Sequence, residues 1–311
     1  PKILTLHTQY ERYAYYIAPI PERLTQEAIK MIIYNLAYKI DCITTPSESM
    51  RELIRSYGVK NRIEIIPNAI HWTSFIEEDE LKCLEIRKKH NLKEEDKIIL
   101  CVGRIAQEKS IDKIIKALAI IKEKGFNKAK LLIVGEGPAI DELRQLAQAS
   151  GVEEEVIFVG RVSDEEIQHY YKAAYIFTIA STSESFGIVI IEALASGVPV
   201  LAVKAPGAVD ILTDGLDGLL VSNDVEKFAD ALEKIIREPE LREKLSRGAL
   251  KTSEKYSIDT ISERMLNLYR EVIEVKKSKI KEKKNFIKDI LFFSSLLLIL
   301  FGYFLIHYLN I

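Results

Sequence analysis

Between residue 97 and about residue 222, short apolar runs alternate with segments whose apolar residues recur at helical spacing. A chain patterned this way is restricted to a doubly wound parallel sheet, because each strand must be covered on both faces by the helices that connect it to the next. The first run is Lys97 to Val102, after which Ile111, Ile114, Ile115 and Leu118 fall on one helical face. Further strands are predicted at Lys130 to Val134, Val156 to Val159, Tyr175 to Ile179 and Val198 to Val203, all rich in β-branched or aromatic residues.

The same alternation is sparser upstream, with strands predicted at Lys2 to Leu6, Cys42 to Thr45 and Arg62 to Ile66. Residues 1–75 are read as the C-terminal part of an N-terminal Rossmann-like domain, too short to complete it, and the start at Pro1 leads us to expect chain upstream. The polar segment 76–96, with helical potential from Leu81 to His90, reads as the interdomain connection. Residues 97–250 then form a second Rossmann-like domain, and the cleft between the two is the expected ligand site. Over 251–275 an apolar stripe through Ile261, Met265, Leu268 and Val272 is expected to pack on the body.

A hydrophobic content of 48% excludes disorder as the dominant state, and the formal net charge of −2 conceals an uneven C-terminus. Residues 276–289 carry Lys276, Lys277, Lys279, Lys281, Lys283, Lys284 and Lys288, opposed by Glu282 and Asp289. Ile290 to Ile311 follows, almost entirely apolar, and about 22 residues at ~1.5 Å each would span roughly 33 Å of bilayer. The expectation is a single-pass C-terminal anchor in the cell membrane with the basic tract, and so the catalytic body, on the cytoplasmic side. Cys42, Cys83 and Cys101 show no metal-ligand spacing and no disulfide framework, which fits a reducing compartment. No nucleic-acid partner is expected.

The residues that carry chemistry cluster at Glu184-Ser185-Phe186-Gly187-Ile188-Val189-Ile190-Ile191-Glu192. Gly187 marks the turn into a helix whose exposed amides and dipole suit a phosphate. The carboxylates of Glu184 and Glu192, on either side of that start, can accept hydrogen bonds from a donor sugar and a ribose. Two glutamates eight apart, taken alone, favour a helix-capping Glu184 and a surface Glu192.

The segment resembles the E-x7-E motif of retaining GT-B glycosyltransferases of the family 4 class (glycosyl transferases group 1), and further segments occur in the order of that class. Gly103-Arg104-Ile105-Ala106-Gln107-Glu108-Lys109 resembles its G-R-x-x-x-E-K loop, Val134-Gly135-Glu136-Gly137-Pro138 its V-G-x-G-P turn, and Val159-Gly160-Arg161-Val162 its nucleobase-facing segment. Gly197-Val198-Pro199-Val200 and Gly215-Leu216-Asp217-Gly218 complete the pattern as turns. Upstream, His7-Thr8-Gln9-Tyr10-Glu11, followed by Tyr13, Tyr15 and Tyr16, is similar to bacterial 1,2-diacylglycerol 3-alpha-glucosyltransferases, although these tyrosines could equally be core.

The resemblance implies two Rossmann-like domains in a GT-B fold. It implies catalytic roles for His7, Arg104, Lys109 and Glu184, and donor contacts at Arg161, Val162, Phe186, Gly187, Ile188 and Glu192. It also implies transfer of a hexose, with UDP-glucose the expected donor, to a lipid such as diacylglycerol, with retention and no metal or cofactor. In that mechanism fixed cations oppose the charge growing on the departing diphosphate. The carboxylates then bind hydroxyls rather than act as a glycosidase pair. Two other readings stay open: a GT-B nucleotide-sugar epimerase, and a noncatalytic nucleotide-sugar-binding membrane protein.

Overall fold

The computed structural model of the chain describes residues 1–11, 21–77 and 79–308, with residues 289, 292, 293 and 296–308 described as backbone only. Among the described residues nine strands form two parallel sheets. The smaller holds β1 (Ile3–Thr5), β2 (Cys42–Thr45) and β3 (Ile63–Ile65) in that spatial order. The larger holds β4 (Lys97–Val102), β5 (Ala129–Val134), β6 (Val156–Gly160), β7 (Ile176–Ile179), β8 (Val200–Val203) and β9 (Gly218–Val221). Its order is β6-β5-β4-β7-β8-β9, so the chain winds outward from β4 in one direction and from β7 in the other. That is the doubly wound Rossmann order, with its reversal point between the two central strands.

Alternation along the strands builds the two core layers. In β4, Ile98 and Leu100 join a layer with Phe177, Ile190 and Leu194, while Ile99 and Cys101 face a second layer with Ile114, Leu118 and Phe228. Ile98, Ile99 and Leu100 are fully buried. Each such side chain contributes about 1.5–3 kcal/mol on leaving water. The smaller sheet has its own cluster around Ile33, Ile43, Met50 and Ile54.

β9 is not among the predicted strands. It is short, lies at the sheet edge, and starts on Gly218, where an added Cβ would sit 2.4 Å from the Val200 carbonyl oxygen. The neighbouring Asp217 is fully buried, accepting from the Thr213 N–H at 2.9 Å and the Thr252 hydroxyl at 2.8 Å. A buried aspartate held by local bonds reads in sequence as an exposed turn, which hid the strand.

The segment between the sheets forms two helices, Trp72–Ile76 against the helix Ile188–Ala195 and Glu80–Lys89 against the helix Asp164–Ala173. The C-terminal helix Ile258–Tyr308 returns to the smaller sheet, burying Ile261, Leu268 and Val272 against Cys42 and Ile66. Two ion pairs tie it there, Arg62–Glu271 at 2.8 Å and Lys276–Asp41 at 2.6 Å. The Lys276 bond and a second from the Lys2 backbone N–H hold the Asp41 carboxyl below its ordinary range. The first lysine of the basic tract is therefore engaged by the protein body. Among the described residues no helix is long and apolar enough to cross a membrane. The run expected to do so, Ile290 to Ile311, falls largely outside the residues whose side chains are described.

All three cysteines are free thiols, and burial pushes Cys101, beneath the loop that follows β4, up to about 12 despite the nearby Lys109. Thiol alkylation at pH 8 is expected to leave Cys101 unmodified in the folded protein and to label it only in denaturant, as mass spectrometry of the peptides would report.

Candidate active site

In a doubly wound sheet the crevice lies outside the carboxyl ends of the strands where the winding reverses. Here those ends are Val102 of β4 and Ile179 of β7. The loop after β4 carries Arg104 and, on a short 3-10 turn, Lys109; the loop after β7 carries Glu184 and ends on Gly187. Lys109 and Glu184, 75 positions apart, meet at 2.6 Å between Nζ and Oε1. Their side chains keep 30% and 14% of their exposure, so the pair is partly withdrawn from water. Removing one member would leave the other's charge uncompensated. Arg104 is exposed at the rim of the same crevice, together with Gly103.

Gly187 is left-handed, at φ 82° and ψ 59°, a conformation glycine adopts without steric cost, and it turns the chain into the helix Ile188–Ala195. Ile188 opens that helix and is exposed. Phe186 has its ring buried against Tyr256, 5.9 Å between centroids, so its backbone is the part that can meet a ligand. Glu192 lies about one and a half turns inside that helix. It lines a separate cavity of about 440 Å³ with Ile188, Asp164, Gln168 and His71. Its carboxylate accepts a 2.8 Å bond from the hydroxyl of the fully buried Tyr171. Burial pushes the Glu192 carboxyl above its ordinary range, and the tyrosine bond opposes that shift. The two glutamates thus serve two neighbouring recesses with the helix start between them.

Arg161, exposed, and Val162, partly packed on the core, follow the end of β6. They adjoin the Glu192 cavity through the helix Asp164–Ala173 but do not line it. His7 is exposed in the loop after β1. The structure brings that loop to the Glu184 loop through Gln9, whose buried side-chain amide donates to the Glu184 carbonyl at 3.2 Å. Tyr10 is exposed, while Tyr13, Tyr15 and Tyr16 lie outside the described residues. A cavity of about 610 Å³ lies at the opposite end of the helix Ile188–Ala195, near Phe75, Cys83 and Arg242, and is lined by none of the expected site residues.

Several positioning residues gave no sequence signal. Ser47 donates its hydroxyl to the Ser185 carbonyl at 2.9 Å. One carboxylate, Asp210, accepts from the Ser49 amide at 3.1 Å and the Gly207 amide at 3.0 Å, joining the smaller sheet's loops to the turn beneath Glu184. The Ser47–Ser185, Ser49–Asp210 and Gln9–Glu184 contacts link residues 138 to 175 positions apart, beyond the reach of any local pattern.

Comparison with known proteins agrees with this architecture. The family described as "Glycosyl transferases group 1" matches residues 84–252, and that described as "Glycosyltransferase Family 4" matches residues 1–72. An alpha-monoglucosyldiacylglycerol synthase of Streptococcus pneumoniae is 35% identical over 78% of this chain, which spans 55% of that relative's length. The synthase of the same name from Acholeplasma laidlawii is 26% identical over 91% of this chain and 72% of its own. Anabaena HepE, crystallised with UDP and glucose, superposes with a TM-score of 0.76 over 87% of this chain and 71% of its own, at 20% identity, a likeness of fold. With the family pattern spanning the whole of the larger sheet, the chain belongs to the glycosyl transferases group 1 family.

Proposed function

We propose that this chain is the donor-binding and cleft-forming part of a retaining hexosyltransferase that moves glucose from UDP-glucose to a diacylglycerol-type membrane lipid. The observation that carries the proposal is the Lys109–Glu184 pair at the winding reversal, beside the Gly187 helix start. In this reading the donor diphosphate lies over the amides of Ile188 and Val189, and Lys109 and Arg104 oppose the negative charge that grows as the glycosidic bond breaks. The Glu184 carboxylate accepts from hydroxyls of the hexose, and Glu192 accepts from the ribose in the second recess. The leaving phosphate takes the acceptor's proton on the same face of the sugar, so configuration is retained. His7 approaches the sugar from the opposing loop, and the acceptor enters from that side. Arg161 and Val162 contribute backbone contacts toward the base.

The names of the pneumococcal and Acholeplasma relatives support glucose as the sugar and diacylglycerol lipids as acceptors. The lysines beyond Lys276 and the apolar run Ile290 to Ile311 support attachment to the cytoplasmic face of the cell membrane. No metal is needed in this scheme, since fixed cations do the charge stabilisation, and excess EDTA is expected to leave the rate unchanged.

Incubating the full-length enzyme with labelled UDP-glucose, UDP-galactose or GDP-mannose and extracted membrane lipids tests donor and acceptor together. The expected product is an α-glucosyl lipid made from UDP-glucose. A free epimerised sugar, or donor binding with no lipid product, would overturn the proposal.

A further inference from the structure

Glu192 can hold a ribose only if its carboxylate is ionised and aimed into the cavity, yet burial works against the first and nothing on its own helix secures the second. The group that faces it comes from a different helix. Tyr171, in Asp164–Ala173, is fully buried, wedged between Phe75 at 6.0 Å and Phe177 at 5.6 Å between ring centroids. A ring gripped on two sides has its hydroxyl in a set place, and that hydroxyl donates to Glu192 Oε2 at 2.8 Å.

We infer that Tyr171 is a positioning residue for donor recognition: its hydroxyl occupies one carboxylate oxygen of Glu192 and presents the other to the ribose hydroxyls of the nucleoside diphosphate. This deepens the proposed function and rests on Glu192 being the ribose-binding carboxylate. Buried carboxylates are costly unless bonded, so a partner that only donates keeps the anion without competing for the ribose as an acceptor. The surrounding charges make the partner necessary. Asp164 raises the Glu192 carboxyl further, and Glu165 and His71 complete the titratable wall of the cavity. Tyr171 is itself pushed well above its ordinary range by burial and by Glu192, so it remains a donor at every working pH.

The test measures binding of UDP and of 2′,3′-dideoxy-UDP, which lacks both ribose hydroxyls, to the full-length protein by calorimetry. The native protein is expected to prefer UDP by about a hundredfold. In Tyr171→Phe, which keeps both ring contacts, that preference falls to about tenfold while dideoxy-UDP binds as before. The pH below which UDP affinity drops also moves upward, because the bond opposing carboxylate protonation is gone. Tyr171→Met, a second side chain without the hydroxyl, is expected to give the same ratio. Equal weakening of both ligands, or an unchanged ratio in either variant, would overturn the role of Tyr171. Glu192→Ala separates the two ideas: it should abolish the preference, and if it does not, the ribose assignment itself fails.

Discussion

Lys109→Ala in the full-length enzyme is expected to reduce glucosyl transfer by about a thousandfold while the protein remains folded. A preorganised cation or donor aimed at developing charge is worth roughly two to three orders of magnitude in rate, and phosphate-directed cations reach the upper end. Lys109 occupies such a position: its ammonium is set by a rigid 3-10 turn at the end of a buried strand and meets Glu184 at 2.6 Å. Glu184→Ala should be similarly damaging, by loss of the hexose contact proposed for it and of the carboxylate that holds Lys109 in place. The residues are largely withdrawn from solvent but not in either core layer, so thermal melting should move by only a few degrees. Single-turnover transfer from UDP-glucose, with circular dichroism on the same samples, decides the matter. Near-native turnover in either variant would remove the pair from the chemistry.

Gly137→Ala is expected to destabilise the protein by about 3 kcal/mol and to lower activity with it. A Cβ at residue 137 would lie 2.1 Å from the Ile105 carbonyl oxygen and 2.6 Å from its carbon, both backbone atoms. Overpacking of a close-packed contact costs about 1–3 kcal/mol, and here the obstacle cannot rotate aside. The contact has a purpose. The Ile105 amide donates to the Glu136 carbonyl at 2.9 Å and the Ala139 amide to the Ile105 carbonyl at 3.1 Å, so the Gly135–Gly137 turn clamps the loop that carries Arg104 and Lys109. For a chain of this size the melting temperature should fall by roughly 6 °C or more. UDP affinity should weaken at a temperature where the variant is still folded. Retention of both stability and affinity would show that the loop is positioned some other way.

Much of the fold was legible in the sequence. The strands Cys42–Thr45 and Lys97–Val102 coincide with their apolar runs to the residue, since a parallel strand buried on both faces must be written in continuous β-branched and aliphatic side chains. β9 escaped because an edge strand beginning on glycine beside a buried aspartate carries turn residues where a strand signal would be. Around the strand end and the helix start, Lys109, Glu184, Gly187 and Glu192 were singled out by their match to the family's motifs, since their spacing alone favoured a cap and surface residues. Phe186 shared that spacing, yet its ring completes the core. Sequence neighbours on a turn point in different directions, and the pattern alone does not say which inward.

What the amino-acid sequence by itself determined is the larger doubly wound sheet, the helix start at Gly187 and the types of group that surround it, because hydrophobic period and turn chemistry are local properties. Only the tertiary structure decided that the loops after β4 and β7 adjoin, that Glu184 and Glu192 open into separate recesses, and that Gln9, Ser47, Asp210 and Tyr171 hold those loops and carboxylates in place. Each of these contacts joins elements that pair only after the sheets have formed. Their energy depends on burial and on hydrogen-bond geometry of about 3 Å, and neither exists until the chain has closed on itself.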